Sequence, residues 1–241
     1  MSVRTTIAIL TTIWRRPALT ACMLRHYGDM QLPGVDFLRV AVRSGDDPEP
    51  APPVRGWTYV HASNEPLAGK WQAGLDALRA AAPDVVVVVG SDDFACQAYF
   101  NRARLELAGR AEYLQLGSCY FHDLATGRTI YARRLEIGAF RAFSRRLLDR
   151  ARWILWPNRA GNPDGLQDHL LRRFRRTVVA DIRREGIVAV DVKAELCRWS
   201  FDHLASHTFN EPVAGLPPAL PETMFARKHP AYHSELTTTS R

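Results

Sequence analysis

The chain has 241 residues, 46% hydrophobic and 24% charged, a composition that fits an ordinary globular protein with a substantial core and excludes a disordered one. No apolar run is long enough to cross a bilayer, and Cys22, Cys96, Cys119 and Cys197 are too scattered for a zinc cluster or a disulfide scaffold. The net charge of +7 is uneven: Arg128 to Arg184 holds 15 Arg against 5 acids, leaving −3 for the remainder. Such a field suits an anionic partner, nucleic acid being the commonest polyanion, although a solvated basic surface is the plainer account.

The amino terminus runs straight into a strand-like segment, Thr5 to Leu10, without the apolar core and cleavage site of a signal peptide, so a cytoplasmic protein is expected. Polar TTIWRRP follows, and Pro17 opens a helix over ALTACMLRHY. Phe37 to Val42 alternates as a second strand, RSGDDPEPAPP is turn chemistry, and Thr58 to His61 is a brief third strand. Between Asn64 and Ala82, Leu67, Trp71, Leu75 and Leu78 recur at helical spacing, and Pro83 ends that helix.

Next comes VVVVVGSDDF, Val85 to Phe94. Five consecutive β-branched residues need apolar cover on both faces, which predicts a central strand of a covered, parallel sheet. Its carboxyl end carries Gly90, Ser91, Asp92 and Asp93, at the place where open α/β sheets form their ligand crevice. Adjacent carboxylates there suit a divalent metal carrying a phosphorylated ligand. The local alternative is that they only cap the next helix.

Tyr99 to Leu107 is helix-like. EYLQLGSCYF and RTIYARRLEI read as two strands joined by a DLATG hairpin turn. Phe140 to Ala151 and Leu166 to Phe174 read as arginine-rich helices, Ile187 to Val192 as a final strand, and the segment from Pro212 as an extended tail. The predicted layout is one domain over residues 1–211, divided near 123, with a tail over 212–241. Strands alternating with helices imply right-handed crossovers in a doubly wound sheet.

Three segments together resemble the GT-A nucleotide-sugar glycosyltransferases, family 2 in style and similar to the short bacterial and phage-type members. They are IAIL with TTIWRRP, NEPLAGKWQAGLDALRAAAPDVVVVVGSDD, and WPNRAGNPDGLQDHLLRRF. The resemblance implies an α/β, Rossmann-like, mostly parallel sheet flanked by helices, with a small antiparallel hairpin on the acceptor side. It also implies transfer of a sugar from a nucleotide diphosphate donor, UDP-linked first, assisted by Mn2+ or Mg2+. Where the family has an aspartate-any-aspartate triplet, this chain has Gly90-Ser91-Asp92-Asp93. Its first carboxylate is replaced by glycine, so either Asp92 and Asp93 carry the metal or the metal requirement is weakened.

The same resemblance assigns the remaining residues. Thr11, Thr12, Arg15, Arg16, Asp46, Asp47, Asn64, Lys70 and Ser91 are the nucleotide-sugar candidates, and the family's threonine falls at Ile13 unless the register slips to Thr12. Asp168, with Asp164 second, is the candidate base for the acceptor hydroxyl; a capping box at Asp164 and an ion pair of Asp168 with Arg172 are the local alternatives. His207, or His203, is a late metal or diphosphate contact. Trp156, Arg141, Arg145 and Arg172 are acceptor-side candidates, while Trp153 and Trp199 could equally be core. With the arginine excess on that side, the sharpest expectation for the acceptor is a hydroxymethylated pyrimidine in phage-type DNA, extruded from the stack. A saccharide, lipid-linked or protein acceptor, a nucleotidyltransferase, and a non-catalytic nucleic-acid-binding module are the alternatives.

Overall fold

The structure, a computed structural model, describes residues 4–134, 138–157, 167, 170–194, 201–206 and 209–213. Its strands are β1 (Thr5–Thr12), β2 (Val35–Arg43), β3 (Thr58–His61), β4 (Val85–Val88), β5 (Asp93–Ala95) and β6 (Tyr113–Leu116). They continue with β7 (Ser118–Asp123), β8 (Thr129–Arg133), β9 (Arg141–Ser144), β10 (Arg176–Val179), β11 (Ala189–Lys193) and β12 (Asn210–Val213). The helices are α1 (Pro17–Gly28), α2 (Leu67–Arg79), α3 (Gln97–Ala108), α4 (Arg145–Arg150) and α5 (Phe201–Ala205), with a 3-10 turn at Ile182–Glu185.

Seven strands form the main sheet in the order β10-β6-β9-β4-β1-β2-β3. It is mostly parallel, with β9 running antiparallel to both β4 and β6. The valine strand β4 lies inside it between β1 and β9, and its side chains divide by alternation. Val85, Val87 and Val89 enter the core that α1 and α3 cover, while Val86 and Val88 enter the core that α2 and α4 cover. Each buried valine contributes roughly 1.5–3 kcal/mol relative to exposure, so the strand can hardly be displaced from the sheet centre. On α2, Trp71, Leu75 and Leu78 are buried against β1 and β2 while Leu67 is half-buried at its start.

A second, five-stranded sheet has the order β12-β8-β7-β11-β5. The DLATG turn joins β7 to β8 as an antiparallel hairpin, with Gly127 in the left-handed region (φ 68°) and its amide donating to the Asp123 carbonyl at 2.8 Å.

Four readings of the sequence are corrected. The run EYLQLGSCYF is two strands in two sheets, because Gly117 breaks it: a Cβ there would lie 3.1 Å from Val178 and 3.2 Å from Ala180, and its amide donates to Val179. Phe140 to Ala151 is helical only from Arg145, since Arg141–Ser144 is a fully buried strand whose pairing with β4 and β6 outweighs helix propensity. The tail does not begin at Pro212: Pro212 and Val213 pair with Ile130 and Thr129 in β12, an edge strand where proline's missing donor does no harm. Of the predicted Leu166 to Phe174 helix, Gln167, Leu170 and Leu171 are helical among the described residues, but Arg172 to Phe174 form a turn, the Phe174 amide donating to the Leu171 carbonyl at 3.0 Å, so the helix stops short of Phe174. Residues 214–241 lie outside the described residues. Among those described, no helix is long and apolar enough to cross a membrane.

Candidate active site

A cleft of about 540 Å³ opens at the carboxyl ends of β1 and β4. Its wall contains Thr12, Arg16, Asn64, Gly90 to Asp93, Trp156 and Gln167, together with Asp191 and Lys193. The chain after β4 turns at Gly90 and Ser91 and re-enters as β5, which crosses to the second sheet and pairs antiparallel with β11. That pairing sets Asp191 opposite Asp93, and the Val192 amide donates to the Asp92 carbonyl at 3.0 Å. One carboxylate oxygen from each of Asp92, Asp93 and Asp191 lies within 4.8 Å of the others.

Burial and neighbouring negative charge act together on these acids. Burial, then the carboxylates of Asp191 and Asp92, push Asp93 well above the usual carboxylate range, against the pull of the Gly90 amide and Lys193. Asp191 is also raised by burial, with the Lys193 ammonium opposing. Two cations answer the three acids: Arg16 donates to Asp92 at 2.7 Å and to the Ser91 hydroxyl at 2.8 Å, and Lys193 pairs with Asp191 at 2.7 Å.

Arg15 and Arg16 both hold positive φ, 54° and 51°. Side chains other than glycine pay about 1–2 kcal/mol for each such residue, and strain of this kind collects at functional sites. It places the Arg16 guanidinium beside the aspartates, while the Arg15 amide donates to Asp47 at 2.9 Å.

The other nucleotide-side candidates divide. Thr12 and Asn64 line the cleft, whereas Thr11 is fully buried and its hydroxyl has no hydrogen-bond partner among the described residues. Lys70 is 1% exposed and donates to the Ile13 carbonyl at 2.7 Å and to Asn64 at 3.1 Å, so it holds the loop from beneath. Burial lowers its pKa to about 8 against the pull of Asp47, Asp46 and Glu65. Asp46 is exposed, Asp47 holds the Arg15 and Glu49 amides, and neither is among the cleft's lining residues.

On the acceptor side, Trp156 lines the cleft at 2% exposure, stacked on Trp71 at 5.9 Å between ring centres. The buried Gln72 fixes this segment, its amide oxygen accepting from the backbone of Leu155 and Trp156 and its nitrogen donating to Trp153. Arg141 is completely buried and donates to Gln167 at 2.6 Å; it is a core residue beneath the cleft rather than a surface contact, because β9 carries it inside. Arg145 sits at the opposite end of β4, where its amide donates to Asp84 and its guanidinium to Asp149. Arg172 is exposed and outside the cleft lining. Trp153 is buried, and His203 is exposed on α5. Asp164, Asp168, Trp199 and His207 lie outside the described residues.

Asp191 and Lys193 were missed by sequence reasoning, although a signal existed. In a strand as apolar as IVAVDV, two charged residues two apart share one face, and a buried face carrying both must serve something other than packing.

No protein-family model and no curated protein matches the sequence. Solved structures do match. S. aureus TarS 1-349 in complex with UDP-GlcNAc is 12% identical, with a TM-score of 0.56 over 84% of this chain and 61% of TarS 1-349. The mannosyltransferase PcManGT from Pyrobaculum calidifontis, in complex with GDP-Man and Mn2+, is 16% identical, with a TM-score of 0.52 over 98% of this chain and 74% of that one. This chain spans 58% to 61% of the length of the TarS 1-349 structures. The likeness establishes the fold as GT-A, a Rossmann-like, mostly parallel sheet flanked by helices.

Proposed function

We propose that the protein is a glycosyltransferase that moves a hexosyl group from a nucleotide diphosphate sugar, a UDP-sugar first, to an acceptor hydroxyl. The observation that carries this reading is the carboxylate cluster at the strand ends of a GT-A sheet, inside the cleft where such sheets bind ligands. Structural neighbours bound to UDP-GlcNAc, or to GDP-Man with Mn2+, support the donor class.

The donor set fits a hard divalent cation, which takes carboxylate oxygens, and with all three acids ionised, the form a cation binds, negative charge exceeds that of Arg16 and Lys193. Asp92 and Asp93 would hold Mn2+ or Mg2+, which when bound supplies Lewis-acid stabilisation to a departing diphosphate. Arg16 and Lys193 add charge-assisted donors facing the same anion. Thr12 and Asn64 orient the nucleoside, Lys70 keeps their loop in place, and the Trp71–Trp156 stack walls off the sugar side from water. An acceptor hydroxyl must lose its proton, and Asp168 is the proposed base with Asp164 second. His207 is a proposed further contact to the metal or diphosphate. The catalytic unit is proposed to span residues 1–213, β12 included, in the cytoplasm.

Incubation with a panel of UDP- and GDP-sugars and Mn2+, scored for free nucleoside diphosphate, is expected to show turnover that Asp92→Asn lowers by at least about 100-fold. Two acceptor arms, hydroxymethylcytosine-containing DNA and a simple saccharide, separate the two acceptor classes. Pyrophosphate in place of nucleoside diphosphate would instead identify a nucleotidyltransferase. DNA binding with no turnover would leave only a binding module.

A further inference from the structure

We propose that Asp191 is the cation ligand that the loop at Gly90 lacks, so that the metal is gripped from two paired strands of the second sheet, β5 and β11, together with the turn before β5, rather than from one loop; this rests on the metal-assisted transfer proposed above. The first argument is steric. A Cβ built at Gly90 would lie 2.8 Å from the Asp93 carboxylate and 2.9 Å from the Asp92 carboxylate, closer than real Cβ atoms approach anything. A side chain at position 90 would therefore have to push both acids out of their present positions, and glycine lets them close in. With no carboxylate at position 90, a third one comes from elsewhere in the fold.

β11 delivers it. The antiparallel register sets Asp191 opposite Asp93, and the bond from the Val192 amide to the Asp92 carbonyl fixes that register on the other side. A slip of one residue would turn Asp191 to the opposite face and remove it from the site. Its position thus follows from backbone pairing and not from the choice of a rotamer.

Unspent hydrogen-bonding capacity is the second argument. Asp191 gives one oxygen to Lys193, while its other oxygen is buried and has no hydrogen-bond partner among the described residues. Asp93 is only 2% exposed and directs one oxygen to the Gly90 amide. An unsatisfied buried acceptor costs about 1–3 kcal/mol, more when it is charged, and native structures rarely leave one without a reason. A cation meeting all three acids removes that cost. Lys193 then acts as the neighbour that keeps Asp191 ionised and aimed while the metal is away.

The test uses the full chain and Mn2+ alone, without nucleotide, followed by calorimetry and by the loss of the free-ion electron paramagnetic resonance signal. Asp191→Asn is expected to weaken Mn2+ binding by at least about tenfold while the metal-free protein still melts cooperatively. Because a lost charge could weaken binding at a distance, Asp191→Cys is titrated with Cd2+, which prefers thiolate. Direct ligation predicts a thiolate-to-cadmium absorption band absent from the wild-type protein. Mn2+ affinity within twofold of wild type in Asp191→Asn, or no new band in Asp191→Cys, would overturn the assignment. Wild-type protein that takes up no Mn2+ yet releases nucleoside diphosphate would also overturn it, while leaving glycosyl transfer standing.

Discussion

Glu112, immediately before β6, shows how a single residue absorbs part of the arginine excess. Its side chain is 2% exposed and accepts from Arg150 and from the Arg175 amide, with Arg146 at 3.8 Å. Burial by itself would raise its pKa, but the Arg175 amide and the Arg150 guanidinium prevail and hold it below the ordinary value of 4.5. A carboxylate depressed in the folded state contributes stability that is complete above pH 4.5 and drains away as the pH falls through its folded value. Glu112→Gln is therefore expected to cost about 1–2 kcal/mol at neutral pH, since the exposed arginines are partly screened by water. The deficit should shrink steadily below pH 4.5. Thermal unfolding of both proteins across that range checks it, and a deficit that is constant with pH would exclude the charge as its source.

At the scale of elements, the site depends on how closely α2 lies on the sheet. Gly74 lets it do so: a Cβ there would fall 2.4 Å from Leu10 and 2.6 Å from Val42, both fully buried. Alanine would gain about 1 kcal/mol of helix propensity, whereas overpacking a core typically costs about 1–3 kcal/mol. With both obstructing side chains locked in β1 and β2, the steric cost wins. Gly74→Ala is expected to lower the melting temperature by about 2–4 °C and to shift Trp71, which carries the stack with Trp156. A melting temperature above wild type would show that α2 moves freely on its sheet. The β5–β11 pairing matters in the same way, since it joins the acid-bearing loop to the second sheet.

At the scale of the whole molecule, no described arginine of the 128–184 excess is among the cleft's lining residues. Arg145 lies beyond the start of β4, about 13 Å of strand away from the carboxylates. Arg146 and Arg150 turn to Glu112, Arg133 and Arg183 to Glu211, and Arg128 to Asp202. Exposed pairs such as those to Glu211 and Asp202 are worth about 0–1 kcal/mol each, so they tie the fold together weakly and engage part of the positive field. The double variant Arg146→Ala and Arg150→Ala is accordingly expected to melt lower yet keep kcat/KM within twofold for either acceptor arm. A rise in KM confined to the DNA arm would instead put that basic face in contact with a polyanion.

Several features were fixed by local sequence alone. The valine run had to be a covered central strand because no other environment shields five β-branched side chains. Pro17 and the spacing of Trp71, Leu75 and Leu78 set the helices beside it, and the GSDD turn marked the ligand end of the sheet. Long-range pairing decided the rest. Arg141 reads as helical from its neighbours and becomes a buried strand because β4 and β6 both lack a partner on that side without it. Asp191 lies 98 residues from Asp93 and meets it through strand registry, and sequence spacing carries no trace of which strands will lie side by side. The acids that start the site are legible in the chain, whereas the acid that completes it is a product of the fold.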